Sequence, residues 1–122
     1  MKILIVDDSK AMRMIVKRTL RQADYGDAKV EEAANGEEGV EAVKSFQPDL
    51  ILSDWNMPQM NGIEFLEAIR SEGIETPFGF ITTEGTPEMR EKAKSGGAQF
   101  LISKPFTPDT FKEKLSEFAP QT

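Results

Sequence analysis

The sequence predicts an α/β protein, a doubly wound sheet of five parallel strands flanked by five helices. Apolar runs and segments of helical periodicity alternate five times along 122 residues. The apolar runs lack in/out alternation, which is typical of strands covered on both faces. Strands alternating with helices predict right-handed crossovers, and the length suits one domain but not an eight-fold barrel.

The predicted strands are short apolar runs, most of which end at polar residues. They span Ile3–Val6, Lys29–Ala33 (a weaker pattern), Leu50–Leu52, Phe78–Ile81 and Phe100–Ile102.

The predicted helices carry apolar residues three or four positions apart. These are Met12, Ile15, Val16 and Leu20, then Val40, Val43 and Phe46, then Ile63, Leu66 and Ile69, and in the last helix Phe111, Leu115 and Phe118. The fourth helix, Glu88–Lys94, follows Thr86-Pro87, which is typical of a cap with proline in the first turn. Asp8 or Ser9 is the expected cap of the first helix.

Composition excludes several classes of function. With 21 acidic and 15 basic residues the net charge is −6, which argues against general affinity for nucleic acid or anionic membranes. The absence of Cys and His excludes disulfides, thiolate or histidine zinc sites, Ser-His-Asp triads and a phosphohistidine carrier. No apolar stretch has the length of a signal peptide or membrane span, so we expect a cytoplasmic protein without membrane insertion.

Polar side chains follow four of the predicted strands. They are Asp7-Asp8, Asp54, Thr82-Thr83 and Lys104. Each alone has an ordinary explanation, such as a helix cap, a turn or a surface lysine. Because the carboxyl ends of parallel strands meet at one edge of the sheet, the set together predicts a functional site there.

These residue types favour phosphoryl chemistry. Three clustered carboxylates repel one another unless a cation lies among them, and Mg²⁺ prefers oxygen ligands. A carboxylate can also accept a phosphoryl group as an acyl phosphate, whose charge must be neutralised. With Lys104 and a threonine hydroxyl available, the sequence predicts Mg²⁺-assisted phosphoryl transfer onto Asp54.

The chain resembles the receiver domain of two-component response regulators over essentially its whole length, residues 1–122. The residues that carry the resemblance are Ile5-Val6-Asp7-Asp8-Ser9, Asp54-Trp55-Asn56-Met57-Pro58 with Gly62, Thr82, and Lys104-Pro105-Phe106. Met12-Arg13, the run from Asp54 to Gly62 and the segment after Lys104 are similar to the single-domain, CheY-like chemotaxis type. The resemblance implies a flavodoxin-like fold with strand order 2-1-3-4-5.

The resemblance also implies roles for individual residues. Asp54 is the phosphoacceptor, and Asp8 and Asp54 bind Mg²⁺ directly. The backbone carbonyl of Asn56 is a third metal ligand, and Asp7 acts through water. Lys104 pairs with the phosphoryl group, Thr82 moves to bond it, and the Lys104–Pro105 peptide is expected to be cis.

Further positions differ from the family pattern or adjust it. Asn56 and Glu84 occupy positions that tune dephosphorylation in the family, although polar loop residues are also common without such a role. Thr83 replaces a smaller residue and is expected to narrow access to the acyl phosphate, and Ser9 replaces a large residue at the mouth of the site. Leu101 stands where an aromatic switch residue is usual, and Phe100, one position earlier, is expected to face the opposite side as core.

The implied function is a signalling switch that is no enzyme, although it catalyses its own phosphorylation and dephosphorylation. The implied phosphodonor is a sensor histidine kinase. The implied target is a protein such as a flagellar motor switch component or a phosphatase, with no direct binding of nucleic acid. We expect a monomer.

Three alternatives remain open. One is the receiver piece of a longer transcriptional regulator, although Ala119–Thr122 is similar to a natural terminus. Another is a Mg²⁺-dependent phosphohydrolase of the haloacid dehalogenase type, whose second Asp lies two residues after the nucleophile, a spacing that Asp7-Asp8 lacks. The last is a flavodoxin-type nucleotide-binding module, which the two carboxylates after the first strand disfavour because they repel phosphate.

Overall fold

The computed structural model describes residues 1–118, without the side chain of Phe118. The predicted face position of Phe118 and the expected terminus at Ala119–Thr122 therefore lie outside the described residues. The elements are, in chain order, β1 (Lys2–Val6), α1 (Lys10–Leu20) with a π-helical turn (Arg21–Tyr25), β2 (Lys29–Ala33), α2 (Gly36–Phe46), β3 (Leu50–Asp54), α3 (Gly62–Ser71), β4 (Phe78–Thr82), α4 (Pro87–Gly96), β5 (Phe100–Ser103) and α5 (Pro108–Phe118).

The five strands form one parallel sheet in the order β2-β1-β3-β4-β5, which confirms the predicted fold class. Val6 at the end of β1 pairs with Ala33 of β2 and Ser53 of β3. Thr82 at the end of β4 pairs with Ser103 of β5. Because every strand runs in the same direction, these terminal residues share one edge.

The sheet separates two apolar clusters. One lies against α1 and α5 and contains Ile3, Ile5 and Phe100, whereas the other lies against α2, α3 and α4 and contains Leu4 and Leu101. Phe100 and Leu101 are both buried and belong to opposite clusters, which confirms the prediction that they face opposite sides.

The predicted apolar face of α1 is wrong for Ile15, whose exposed fraction is 40%. The buried stripe consists instead of Val16, Thr19, Leu20 and Ala23. This stripe keeps helical spacing, and Thr19 can be buried in it because its hydroxyl donates to the Ile15 carbonyl oxygen at 2.8 Å. A buried threonine of this kind cannot be told from a surface one by apolar periodicity.

Side-chain caps begin the helices where the sequence indicates. Ser9, rather than Asp8, caps α1 by accepting from the Met12 N–H at 3.2 Å. Asn61 and Glu64 form a reciprocal capping box at α3. Among the helices described here, none has the length and apolar character needed to cross a membrane.

Candidate functional site

Three carboxylates converge at the carboxyl edge of β1 and β3. One ligand oxygen from each of Asp7, Asp8 and Asp54 lies within 4.8 Å of the others. Asp7 directly follows β1 and Asp54 ends β3, and these two strands are neighbours in the sheet. Asp7 is buried, Asp54 is partly buried and Asp8 is exposed, so the cluster opens to solvent on one side.

Burial makes the Asp7 carboxyl unusually weak as an acid. Its pKa is raised from 3.8 to about 6; desolvation is the largest cause, and the charges of Asp54 and Asp8 act in the same direction. The Ser9 N–H, which donates to Asp7 Oδ1 at 2.8 Å, and the charge of Lys104 oppose this rise. A cation among the three carboxylates would offset the repulsion between their negative charges, which contributes to the raised pKa of Asp7.

Asp54 lies at the centre of the site. Its side chain is 14% exposed, and burial is the main cause that raises its pKa. Lys104, with Nζ 3.8 Å from Asp54 Oδ1, and the Trp55 N–H, which donates to Oδ1 at 2.8 Å, lower the pKa. The carboxylate is thus accessible at its edge and held in orientation by its own backbone.

The cluster fits a hard divalent cation. All three donors are carboxylate oxygens, and nitrogen or sulfur ligands are absent from the set. Such donors match the preference of Mg²⁺, which usually takes one or two carboxylates and keeps several waters for a phosphate substrate. The exposed side at Asp8 leaves room for those waters.

The ends of β4 and β5 bring Thr82 and Lys104 together. The Lys104 backbone N–H donates to the Thr82 carbonyl oxygen at 2.7 Å, which extends the pairing of the two strands by one residue. Thr82 is fully buried, and its hydroxyl accepts from the Glu84 N–H at 3.2 Å. The Lys104–Pro105 peptide is cis, which confirms that expectation.

Close packing fixes the loop after Asp54. The Gly62 N–H donates to the Trp55 carbonyl oxygen at 2.8 Å, and a Cβ at Gly62 would overlap the Asp54 carbonyl oxygen and the Phe80 ring. Trp55 packs on Phe80 with ring centroids 4.7 Å apart. Only glycine fits at position 62, so α3 begins directly against the residue that presents the central carboxylate.

Three other predicted residues lie at the rim of the site. Asn56, Thr83 and Glu84 are exposed. The Asn56 N–H also interacts with the Asp54 carboxylate and lowers its pKa. This effect is smaller than the rise caused by burial and by Asp8 and smaller than the lowering caused by Lys104 and Trp55. Thr83 borders an apolar cleft beside Lys104, with a volume of about 460 Å³. The roles of these residues in metal binding, access and dephosphorylation stay predictions.

Arg13 is a neighbour of the site that was not among the predicted site residues. It lies in α1, and its Nη1 donates to the Asp7 carbonyl oxygen at 2.5 Å, while its Nε donates to Glu32 Oε1 at 2.8 Å. No spacing signal predicts these contacts, because they depend on how α1 packs across β1 and β2. From sequence alone, an arginine in a helix with several basic residues is predicted to be a solvent-exposed side chain.

Comparisons with known proteins agree with this geometry. The family model of the response regulator receiver domain matches residues 3–116. The chemotaxis protein CheY1 of Helicobacter pylori is 40% identical over 121 residues, 94% of each chain. CheY-3 of Vibrio cholerae is 43% identical over 119 residues, 96% of this chain and 90% of the relative.

Solved structures give the same result for the fold. The crystallised Vibrio cholerae chemotaxis protein CheY4 matches with a TM-score of 0.85 and 39% identity over 96% of this chain and 97% of that chain. The signal receiver domain of the response regulator NarL from Mycobacterium tuberculosis has a TM-score of 0.85 at 27% identity, covering 95% and 93% of the two chains. The chain therefore belongs to the receiver domain family of response regulators, in the group of CheY-like chemotaxis proteins.

Proposed function

We propose that residues 1–122 form one receiver domain that acts as a phosphorylation-controlled switch. Asp54 accepts a phosphoryl group from a sensor histidine kinase with the help of Mg²⁺, and the modified protein then binds a different partner. The observation that carries this proposal is the convergence of Asp7, Asp8 and Asp54 within 4.8 Å, with Lys104 Nζ 3.8 Å from the central carboxylate. We propose that it works in the cytoplasm as a monomer, in chemotaxis.

The proposed metal site uses the residues that the family pattern assigns. Asp8 and Asp54 bind Mg²⁺ directly together with the Asn56 carbonyl, and Asp7 acts through water. The graded burial of the cluster supports this division, because the buried Asp7 lies behind the more open Asp8. When bound, Mg²⁺ neutralises phosphoryl charge and so lowers the barrier to transfer.

The transfer step needs only the Asp54 carboxylate as nucleophile. One carboxylate oxygen attacks phosphorus, a P–O bond forms and the P–N bond of the phosphohistidine breaks. The leaving imidazole nitrogen keeps the electron pair and takes a proton from solvent. Lys104, already in reach of Asp54, offsets charge on the transferred group. Hydrolysis by water later returns the carboxylate and inorganic phosphate, so the chemistry acts on the protein itself.

The added group is proposed to act through Thr82 and Lys104. An aspartyl phosphate adds roughly two negative charges, and it biases a two-state equilibrium only if one state contacts it better. The Thr82 hydroxyl must give up its bond from the Glu84 N–H in order to turn toward Asp54. This exchange couples the chemistry to the loop that begins α4. Glu84 and Asn56 tune the loss of the phosphoryl group, and Thr83 narrows its access.

The proposed output surface lies on α4, β5 and α5. A cleft of about 480 Å³ there is lined by three cations, Arg90, Lys94 and Lys114, and by one acidic residue, Glu117, together with Leu101. Cations outnumber carboxylates in this lining, in contrast to the whole chain with its net charge of −6. The proposed target is a protein such as a flagellar motor switch component or a phosphatase, in keeping with the names of the chemotaxis relatives.

Intact mass after incubation with acetyl phosphate and Mg²⁺ tests this proposal. The wild type is expected to gain one phosphoryl group, and Asp54→Asn none. Asp27→Asn is the matched control, because it removes an exposed carboxylate outside the cluster and should phosphorylate normally. Wild type that stays unmodified, or Asp54→Asn that is still modified, would overturn the assignment of the acceptor.

A further inference from the structure

Arg13 connects α1 to the ends of two strands. Its side chain is 15% exposed and forks between two acceptors, the Asp7 carbonyl oxygen at 2.5 Å and Glu32 Oε1 at 2.8 Å. Lys17, one turn later on α1, contacts the same glutamate at 3.3 Å. Two cations thus share Glu32, but of these two, within residues 1–118, it is Arg13 whose contact with the backbone of the site the structure shows.

The Asp7 carbonyl oxygen that accepts from Arg13 belongs to the peptide unit that joins the two carboxylate residues Asp7 and Asp8. The Asp7 N–H still donates to the Ala33 carbonyl oxygen at 3.0 Å, so the pairing of β1 with β2 ends there. The Asp7 carbonyl is the first beyond that pairing, and it lies in the planar peptide that joins Asp7 to Asp8. Because a peptide unit rotates as a rigid plane, its orientation affects both carboxylates at once.

From this geometry we propose that Arg13 is a positioning residue for the metal site, one that locks the Asp7–Asp8 peptide and thereby holds the two carboxylates in binding geometry. The proposal rests on the proposed function, since it assumes that Asp7, Asp8 and Asp54 bind Mg²⁺. Glu32 keeps the guanidinium in place, and a planar fork suits this double contact as an ammonium does not.

The charge of Arg13 by itself would act in the opposite direction. A cation beside the site repels Mg²⁺, so removal of the charge alone should tighten metal binding. Loss of positioning should weaken it, because groups that orient metal ligands typically contribute 10-fold or more to affinity. The sign of the change in Mg²⁺ affinity therefore distinguishes positioning from simple electrostatics.

The test compares Arg13→Gln with Lys17→Gln. Each variant removes one positive charge and one partner of Glu32, but only the first removes the contact with the Asp7 carbonyl. Mg²⁺ dissociation constants are measured by titration calorimetry and by Trp55 fluorescence, with circular dichroism and metal-free thermal unfolding to verify the fold. We expect about 10-fold weaker binding for Arg13→Gln, and unchanged or slightly tighter binding for Lys17→Gln.

Arg13→Lys provides a second variant that keeps the charge and burdens folding less. It should also bind Mg²⁺ more weakly, because one ammonium does not reproduce the fork. Folded Arg13 variants that bind Mg²⁺ as tightly as wild type, or more tightly, would overturn the positioning role while leaving the proposed function intact. Wild type with no response to Mg²⁺ in either measurement would overturn both.

Discussion

Two lysine–aspartate pairs in this molecule differ in both distance and exposure. At the site, Lys104 Nζ lies 3.8 Å from Asp54 Oδ1, and both side chains are 14% exposed. On the surface between α5 and the π-helical turn, Lys112 Nζ lies 2.8 Å from Asp24 Oδ2, with exposed fractions of 58% and 61%. The less exposed pair has the longer distance, although a short contact between opposite charges is stronger where the surroundings are less polar.

The two pairs differ in the charges that surround them. The surface pair is an ordinary contact in high dielectric, where such pairs contribute little to stability. The site pair keeps its charges apart among two further carboxylates and leaves Asp54 with a raised pKa. The longer contact leaves the charge of Asp54 less well offset than a close pair would, so the site gives up stability that a closer arrangement would supply.

The largest difference between the two pairs is expected in the rate of phosphoryl uptake after each lysine is replaced by alanine. Lys104→Ala removes the cation that we propose offsets charge on the transferred group, and we expect the rate of modification by acetyl phosphate to fall about 100-fold. Lys112→Ala removes an equal charge far from the site and serves as the matched control. Time-resolved intact mass with Mg²⁺ measures both rates. Equal rates for the two variants would show that Lys104 has no special part in phosphoryl uptake.

The two regions should also differ in how the loss of a carboxylate changes the pH dependence of protein stability. The pKa of Asp7 is about 6 in the folded protein against an ordinary value of 3.8, so the stability that protonation provides is present below about pH 4 and lost as the pH rises through 6. Without metal, Asp7→Asn should therefore stabilise the protein at about pH 8 relative to pH 4, by on the order of 2 kcal/mol.

Urea unfolding in a chelator at both pH values measures this effect. Asp24→Asn is the control, because asparagine tolerates the left-handed backbone of that position, where φ is 71°. It should show little pH-dependent gain. A gain at Asp24 as large as that at Asp7 would mean that general charge repulsion, rather than burial at the site, causes the effect.

The smallest effect is expected for the surface pair in stability. Lys112→Ala should leave the thermal unfolding midpoint at neutral pH within experimental error, since an exposed ion pair is screened and its ordering costs side-chain entropy. Differential scanning calorimetry at low and high salt measures this. A salt-sensitive loss of stability would show that the contact of α5 with the π-helical turn is more than an ordinary surface pair.

Most of the fold could be predicted from the sequence because local signals agreed with one another. Apolar runs placed four of the strands and a weaker pattern placed β2, and the caps predicted at Ser9 and Thr86 lie at the starts of α1 and α4. The candidate site followed from the same pattern, since Asp7, Asp54 and Lys104 come at or just after strand ends. The exposure of Ile15 and the π-helical turn after α1 did not follow, because no local periodicity encodes them.

Residue type and periodicity are local, and they suffice to predict the alternation of strands and helices along the chain, the hard-oxygen chemistry of the site and the residues able to carry it. Three other features emerge only when the chain is folded: Asp7 is buried while Asp8 is open, Thr82 is enclosed, and Arg13 reaches the Asp7 carbonyl. These features depend on how helices pack across the sheet, because burial and long-range hydrogen bonds are properties of the assembled chain.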